Sequence, residues 1–321
     1  MIYITVLIFF FIIELIYFKF ADLFNIIDKP NERSSHKQIT ILGGGVLFYF
    51  AVVLYSFLNG ILYPWFLIGM TLIAIISFVD DIRPQSYKVR LAIHLMSILL
   101  LFYQIGMYEL PWYYFPIALV ISVGILNAYN FMDGINGMIG IYTIVVLGSL
   151  WYINLFYLNF VDGQIIYYLM LALIVFNFFN FRRNAKCFAG DVGALSLAFV
   201  VVFLVGFLIL KSEDFKWIGL LSVFGVDTIL TIIHRLILKE NIFVAHRKHL
   251  FQLFANELKY SHLIVSVSYA VIQIVISIGL IVFENYGFWY LSCVISLLSL
   301  IYYLLKKKYF HLHQQNIKSN L

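Results

Sequence analysis

The feature that most constrains this chain is its hydropathy pattern. Apolar stretches of about twenty residues recur along the whole sequence, separated by short polar breaks. A bilayer core ~30 Å thick needs about 20 apolar residues per helical crossing. On that scale helices are predicted near 2–20, 41–58, 62–79, 89–105, 112–128, 138–156, 164–180, 193–210, 216–234, 263–283 and 287–305. The expected fold is all-α: a polytopic integral membrane protein of 10–11 transmembrane helices, forming one catalytic unit over residues 1–321. Its predicted polar loops are 21–40, 80–88, 129–137, 181–192 and 235–262. Composition agrees, with 63% hydrophobic and 12% charged residues, against roughly 25% charged in a soluble domain. No polar stretch is long enough for a soluble domain. The first helix lacks a basic leader and an Ala-x-Ala site and is read as retained.

Basic residues set the orientation. With the N-terminus outside and the C-terminus cytoplasmic, 19 of the 21 Lys and Arg residues fall on the cytoplasmic side, and only Lys211 and Lys216 fall outside. Because the bases lie between apolar segments and form no stripe, the net charge of +5 does not suggest nucleic acid. Two cysteines, Cys187 and Cys293, are too few for a disulfide framework and are read as unpaired.

This topology brings chemistry-bearing residues to one face. The first loop runs Asp28-Lys-Pro-Asn-Glu-Arg-Ser-Ser-His36-Lys37 and ends in Gly43-Gly44-Gly45. Asp80-Asp81 closes a helix. The stretch Asn127-Ala-Tyr-Asn130-Phe-Met-Asp133-Gly-Ile-Asn136-Gly137 carries no base. A further loop runs from Asn180 through Arg182, Arg183 and Lys186 to Gly190-Asp191-Val-Gly193. Carboxylates at a membrane boundary cost desolvation energy unless compensated. Mg²⁺ compensates with one or two carboxylates plus substrate phosphates, and neighbouring bases hold further phosphate oxygens. Glycines beside Asp133 and Asp191 would let the backbone approach a ligand. Together these features describe phosphoryl transfer. Taken singly, each Asp is equally an ordinary N-cap or turn residue.

The loop after the ninth helix holds His246-Arg247-Lys248-His249. Its His spacing permits zinc, but no further ligands adjoin it, and phosphate or base contact is preferred. Asp227, an intramembrane acid, is read as the structural partner of a base. Glu14 and His94 are also intramembrane, with no assigned role. Lys306-Lys307-Lys308 are expected to anchor the last helix to anionic lipid.

At these residues the chain resembles the polyprenyl-phosphate N-acetylhexosamine-1-phosphate transferases. The resemblance is carried by Asp80-Asp81, Asn127-x-x-Asn130-x-x-Asp133-Gly-x-x-Gly137 and Gly190-Asp191-x-Gly193, in that order, and covers about Asp28 to Gln252. It implies transfer of a sugar-1-phosphate from a UDP-N-acetylhexosamine to undecaprenyl phosphate in the bacterial inner membrane, with release of UMP. Mg²⁺ is the implied cofactor, with Mn²⁺ as the alternative ion, and a homodimer is the oligomeric expectation. Under the resemblance Asp80, Asp81 and Asp191 are catalytic. Asp191 and Asp133 hold metal, and Lys37, Asn127, Asn130, Asp133, Asn180, Arg247 and His249 contact substrate. Many relatives carry Asp where this chain has Asn136. Their His-x-His-His run is reduced here to His249-Leu-Phe251-Gln252. The Gly-Thr-Pro-Thr-Met-Gly-Gly of the muramoyl-pentapeptide enzyme is absent. The branch that starts O-antigen or capsule chains therefore fits better. Two other classes stay open: a secondary transporter, which would place its binding groups near the bilayer midplane, and an inactive scaffold of a glycan-assembly complex.

Overall fold

The computed structural model describes residues 2–29, 39–242 and 246–318, with side chains described through Tyr309. It is a helical bundle. In chain order the helices are α1 Ile2–Leu23, α2 Val46–Asn59, α3 Pro64–Ile82, α4 Tyr87–Gln104, α5 Tyr114–Met132, α6 Met138–Phe156, α7 Gly163–Asn180, α8 Gly190–Ser212, α9 Ser222–Ile237, the one-turn α10 Leu250–Gln252, α11 His262–Val282 and α12 Gly287–Lys318. Each of the eleven predicted segments corresponds to helical structure. Among the described residues, nine helical segments are long and apolar enough to cross a membrane. Two predicted crossings fall outside that group. Helix α2 has 14 residues, about 21 Å at 1.5 Å per residue, short of a full crossing. Helix α4 carries Lys88, Arg90 and His94 in its first half.

The centre of the bundle is α8, buried on all sides from Val192 to Val205. It packs against α2, α3 and α5, and Phe66 of α3 stacks on Phe199 and Phe203. Its sequence is apolar around its whole circumference, as a helix buried on every side requires. By contrast, α12 shows most of its surface outward, which suits a helix facing lipid.

Three departures from the predicted boundaries have local causes. Helix α2 starts at Val46, not 41, because residues 40–45 are otherwise engaged. Thr40–Ile41 (β2) pairs antiparallel with Ile27–Asp28 (β1). Phe188 donates to the Ile41 carbonyl, and the Gly44 and Gly45 amides donate to the carbonyls of Phe188 and Ala189. The glycines also bring α2 against α8: a Cβ on Gly45 would lie 2.2 Å from the Gly193 Cα. The ninth predicted span splits into a 3₁₀ segment, Phe215–Leu221, and α9. Buried Gln273 of α11 satisfies the break, donating to the Gly219 carbonyl at 3.1 Å and accepting from the Val223 amide at 3.2 Å. Third, α12 continues to Lys318, past the predicted 305. Of its basic run, Lys306 is buried and donates to the Lys248 carbonyl, so that residue is turned inward and is no lipid anchor. Both cysteines are free.

Candidate active site

Two helices bring carboxylates to the site at their C-termini, where the helix dipole disfavours negative charge. Asp80 and Asp81 end α3, and Asp133 caps α5. The third helix, α8, begins at the same place and presents its amides. Asp81 takes that opportunity. Its Oδ1 accepts from the Asp191 amide at 2.8 Å and its Oδ2 from the Val192 amide at 3.1 Å. The carboxylate disfavoured by its own helix is thus stabilised by the N-terminus of another. Gly190 makes room, since a Cβ there would lie 2.7 Å from Asp81 Oδ2, and its φ of +70° suits glycine.

Asp80 is stabilised differently. The Gln85 amide donates to it at 2.5 Å, and Arg90 of α4 pairs with it at 2.5 Å. The same Arg90 Nη1 lies 3.6 Å from Asp191 Oδ2. Asn130 of α5 donates to the other Asp191 oxygen at 2.9 Å. Asp133 sits in the turn beyond α5; burial, then the Asp191 charge, push its carboxyl up to about 7. A nearby cation would favour its ionised form.

Asp81, Asn130, Asp133 and Asp191 open on a cavity of about 330 Å³, at the lower end of the range for small-molecule sites, while Asp80, expected to be catalytic, and its partner Arg90 are not part of its wall. Its wall includes Asp28, Asp81, Asn130, Asp133, Asn136 and Asp191, with Gln252 and His262. Three polar residues on that wall had been given no role from sequence. Asp28 is delivered by β1. Gln252 occupies the end of the reduced histidine run, and His262 is the first residue of α11. The available signal for the last two was their place beside that run.

The remaining expected contacts fall elsewhere. Lys37 lies outside the described residues. Among those described, Asn127, Asn180, Arg247 and His249 are absent from the wall. Asn127 is exposed on α5 and donates to the Val123 carbonyl one turn back. Asn180 is buried between two loops, accepting from the Gly137 amide at 2.7 Å and donating to the Cys187 carbonyl at 2.8 Å. Asn136 completes that clasp by donating to the carbonyls of Arg182 and Arg183 at 2.8 and 3.1 Å. A carboxylate in its position would face two carbonyl oxygens. The glycines beside the carboxylates, Gly134 and Gly190, line the cavity, and they also admit protein: Gly134 lies against Phe251 and Gly190 against Asp81, while Gly193 receives Gly45. Among the described residues no three His, Cys, Asp or Glu side chains group together in metal-binding geometry.

Asp227 finds its partner in His249, whose Nδ1 lies 3.5 Å away, while Arg235 pairs with Glu240 and with the carbonyls of Asn241 and Ile242.

Fold and site together define a polytopic helical membrane protein with carboxylates gathered on one cavity. The family model for glycosyl transferase family 4 matches residues 63–209, spanning α3 to α8 and so Asp80, Asp81, Asn130, Asp133 and Asp191. The chain is 28% identical over 305 residues to the probable undecaprenyl-phosphate N-acetylglucosaminyl 1-phosphate transferase of Bacillus subtilis (strain 168), covering 85% of this chain and 81% of the relative. It is 24% identical to the undecaprenyl-phosphate alpha-N-acetylglucosaminyl 1-phosphate transferase of Thermotoga maritima, covering 78% of this chain and 80% of that one. It is 31% identical over 184 residues to the phospho-N-acetylmuramoyl-pentapeptide-transferase of Streptococcus pneumoniae (strain Hungary19A-6), covering 48% of this chain and 55% of the relative. The chain is thus similar to glycosyl transferase family 4 over its central helices and to these relatives over most of its length.

Proposed function

We propose that the chain transfers an N-acetylhexosamine-1-phosphate from a UDP-sugar to undecaprenyl phosphate, releasing UMP and starting a lipid-linked polysaccharide such as an O-antigen or capsule chain. The observation that carries this reading is the convergence of Asp81, Asp133 and Asp191 on one cavity at one end of the bundle. A lipid phosphate and a soluble nucleotide can meet only at the membrane surface. The distribution of 19 bases against 2 favours the cytoplasmic surface.

The donor set suits Mg²⁺. Hard carboxylate oxygens of Asp133 and Asp191 would hold it, with Asp28 on the same wall. Two carboxylates would leave the remaining positions of the ion to substrate phosphates, the usual Mg²⁺ arrangement. When bound, the ion would neutralise charge on the diphosphate and on the departing UMP. The chain's own residues do the rest. A lipid phosphate oxygen forms a bond to the β-phosphorus as the bond from that phosphorus to the UMP oxygen breaks. Asn130 fixes the Asp191 carboxylate through one oxygen. Asp81 fixes the backbone of the same turn. Asp80 is already engaged by Arg90 and the Gln85 amide. In this reading it therefore acts first by holding Arg90 at the rim, where the guanidinium can meet a phosphate.

The deciding experiment incubates purified protein with undecaprenyl phosphate, Mg²⁺ and a panel of UDP-N-acetylhexosamines, and measures UMP. UDP-N-acetylglucosamine is the first donor to test, given the names of the Bacillus and Thermotoga relatives. UMP release that stops in EDTA and returns with Mg²⁺ is expected. No UMP with any donor, or equal release from an Asp191→Ala variant, overturns the proposal.

A further inference from the structure

A polar chain runs from α12, outside the span of the family match, to the cavity wall. Tyr302 of α12 shares a 2.9 Å hydrogen bond with Thr231 of α9. One turn further along α12, the Lys306 ammonium donates to the Lys248 carbonyl and is 3% exposed. Thr231 donates at 3.2 Å to Asp227, itself 3% exposed. The Asp227 carboxylate then caps α10 from a different helix. It accepts from the Leu250 amide at 2.9 Å and from the Phe251 amide at 3.5 Å, with Tyr269 of α11 donating to it at 2.7 Å. Beyond that cap, Phe251 packs on Gly134, the residue after Asp133, and Gln252 forms part of the cavity wall.

A buried ammonium is costly unless paired. Placing one on a backbone carbonyl three residues before the Phe251–Gln252 wall is explained by the need to hold that segment. We propose that Lys306 and Tyr302 are positioning residues: acting through Lys248 and Asp227, they set the His246–Gln252 segment so that Gln252 completes the wall on which the sugar nucleotide rests. They touch no substrate. This inference rests on the transferase reading for its kinetic arm only.

The test compares Lys306→Met, Lys306→Arg and Tyr302→Phe in the full-length protein. It measures KM for the UDP-sugar and for undecaprenyl phosphate separately, together with amide hydrogen exchange across residues 246–252. Lys306→Met is expected to raise the UDP-sugar KM about tenfold. It should leave kcat and the lipid KM within about twofold, and speed exchange at 246–252 about tenfold, with exchange in α3, α5 and α8 unchanged. Tyr302→Phe should act in the same direction but less, and Lys306→Arg should restore the UDP-sugar KM to within about threefold of wild type. Unchanged exchange at 246–252 in Lys306→Met overturns the proposal. So does equal loss in both KM values and kcat with faster exchange throughout the bundle, which would mark a merely structural lysine. A wild-type protein that releases no UMP overturns the transferase reading instead, and the exchange measurement then decides the positioning of the segment by itself.

Discussion

Removing the Asp81 carboxylate tests whether it acts by capping α8 or by chemistry. It accepts two hydrogen bonds, from the amides of Asp191 and Val192 at 2.8 and 3.1 Å, and both amides belong to the first turn of α8. Hydrogen bonds to a charged group contribute about 1.5–3 kcal/mol each. Because Asp81 borders the cavity, water reaches the vacated amides and lowers the cost, so Asp81→Ala should destabilise by about 2–4 kcal/mol. At about 2.1 cal/mol/K of unfolding entropy per residue, that is a fall in Tm of about 3–6 °C, measurable by thermal unfolding in detergent. The turn carrying Asp191 would shift with it, and a misplacement of about 1 Å can cost on the order of 100-fold in rate. Asp81→Asn keeps an oxygen for one amide and sets an NH₂ group against the other, so it should fall between Ala and wild type in both Tm and rate. If Asp81→Ala keeps the wild-type Tm, the capping argument is wrong. If Asp81→Asn keeps the Tm but is as inactive as Ala, the carboxylate works as a chemical group and not as a cap.

Other expectations follow from the same geometry. Asn136→Asp replaces two donated hydrogen bonds with a carboxylate facing the carbonyls of Arg182 and Arg183. It should destabilise by about 2–4 kcal/mol, and an unchanged thermal transition would remove the clasp from consideration. Gly45→Ala, whose Cβ would meet the Gly193 backbone at 2.2 Å, should separate α2 from α8 and leave little folded protein by size-exclusion chromatography, whereas Gly124→Ala, with open space around it, should behave as wild type. His246 is held down to about 3 by burial, by His249 and by the Arg235 and Lys248 cations, with Glu240 opposing. Its folded value lies below the ordinary 6.5, so its contribution is complete above pH 6.5 and is lost as pH falls toward 3. The protection of amides 246–252, taken relative to their intrinsic exchange rate at each pH, should therefore fall from pH 6.5 downward, and His246→Gln should flatten that dependence. A His246 ring that titrates near 6.5 by NMR would refute it.

Some of this protein was legible along the chain alone. The helices could be located because each one must be apolar for about twenty residues, a local property that survives any packing arrangement. Asp80, Asp81, Asn130, Asp133 and Asp191 stood out because carboxylates and amides at helix ends in a membrane chain are costly wherever they point. Their division of labour was not legible. Whether Asp81 faces substrate or the start of α8 depends on which helix lies beside α3, and no spacing within Asp80-Asp81 encodes that. The glycines read as room for a ligand do border the cavity at Gly134 and Gly190, but they equally make room for Phe251 and Asp81, because a missing Cβ shows that something comes close without showing what. Asn180 and His249 looked like contacts and became ties, their partners lying in loops and helices distant in sequence. Asp28, Gln252 and His262 reached the cavity only when β1, α10 and α11 folded around it. Local hydropathy fixed the helices and the cost of each buried charge. Tertiary packing chose which neighbour offsets that cost, and so which carboxylates remain for the cavity.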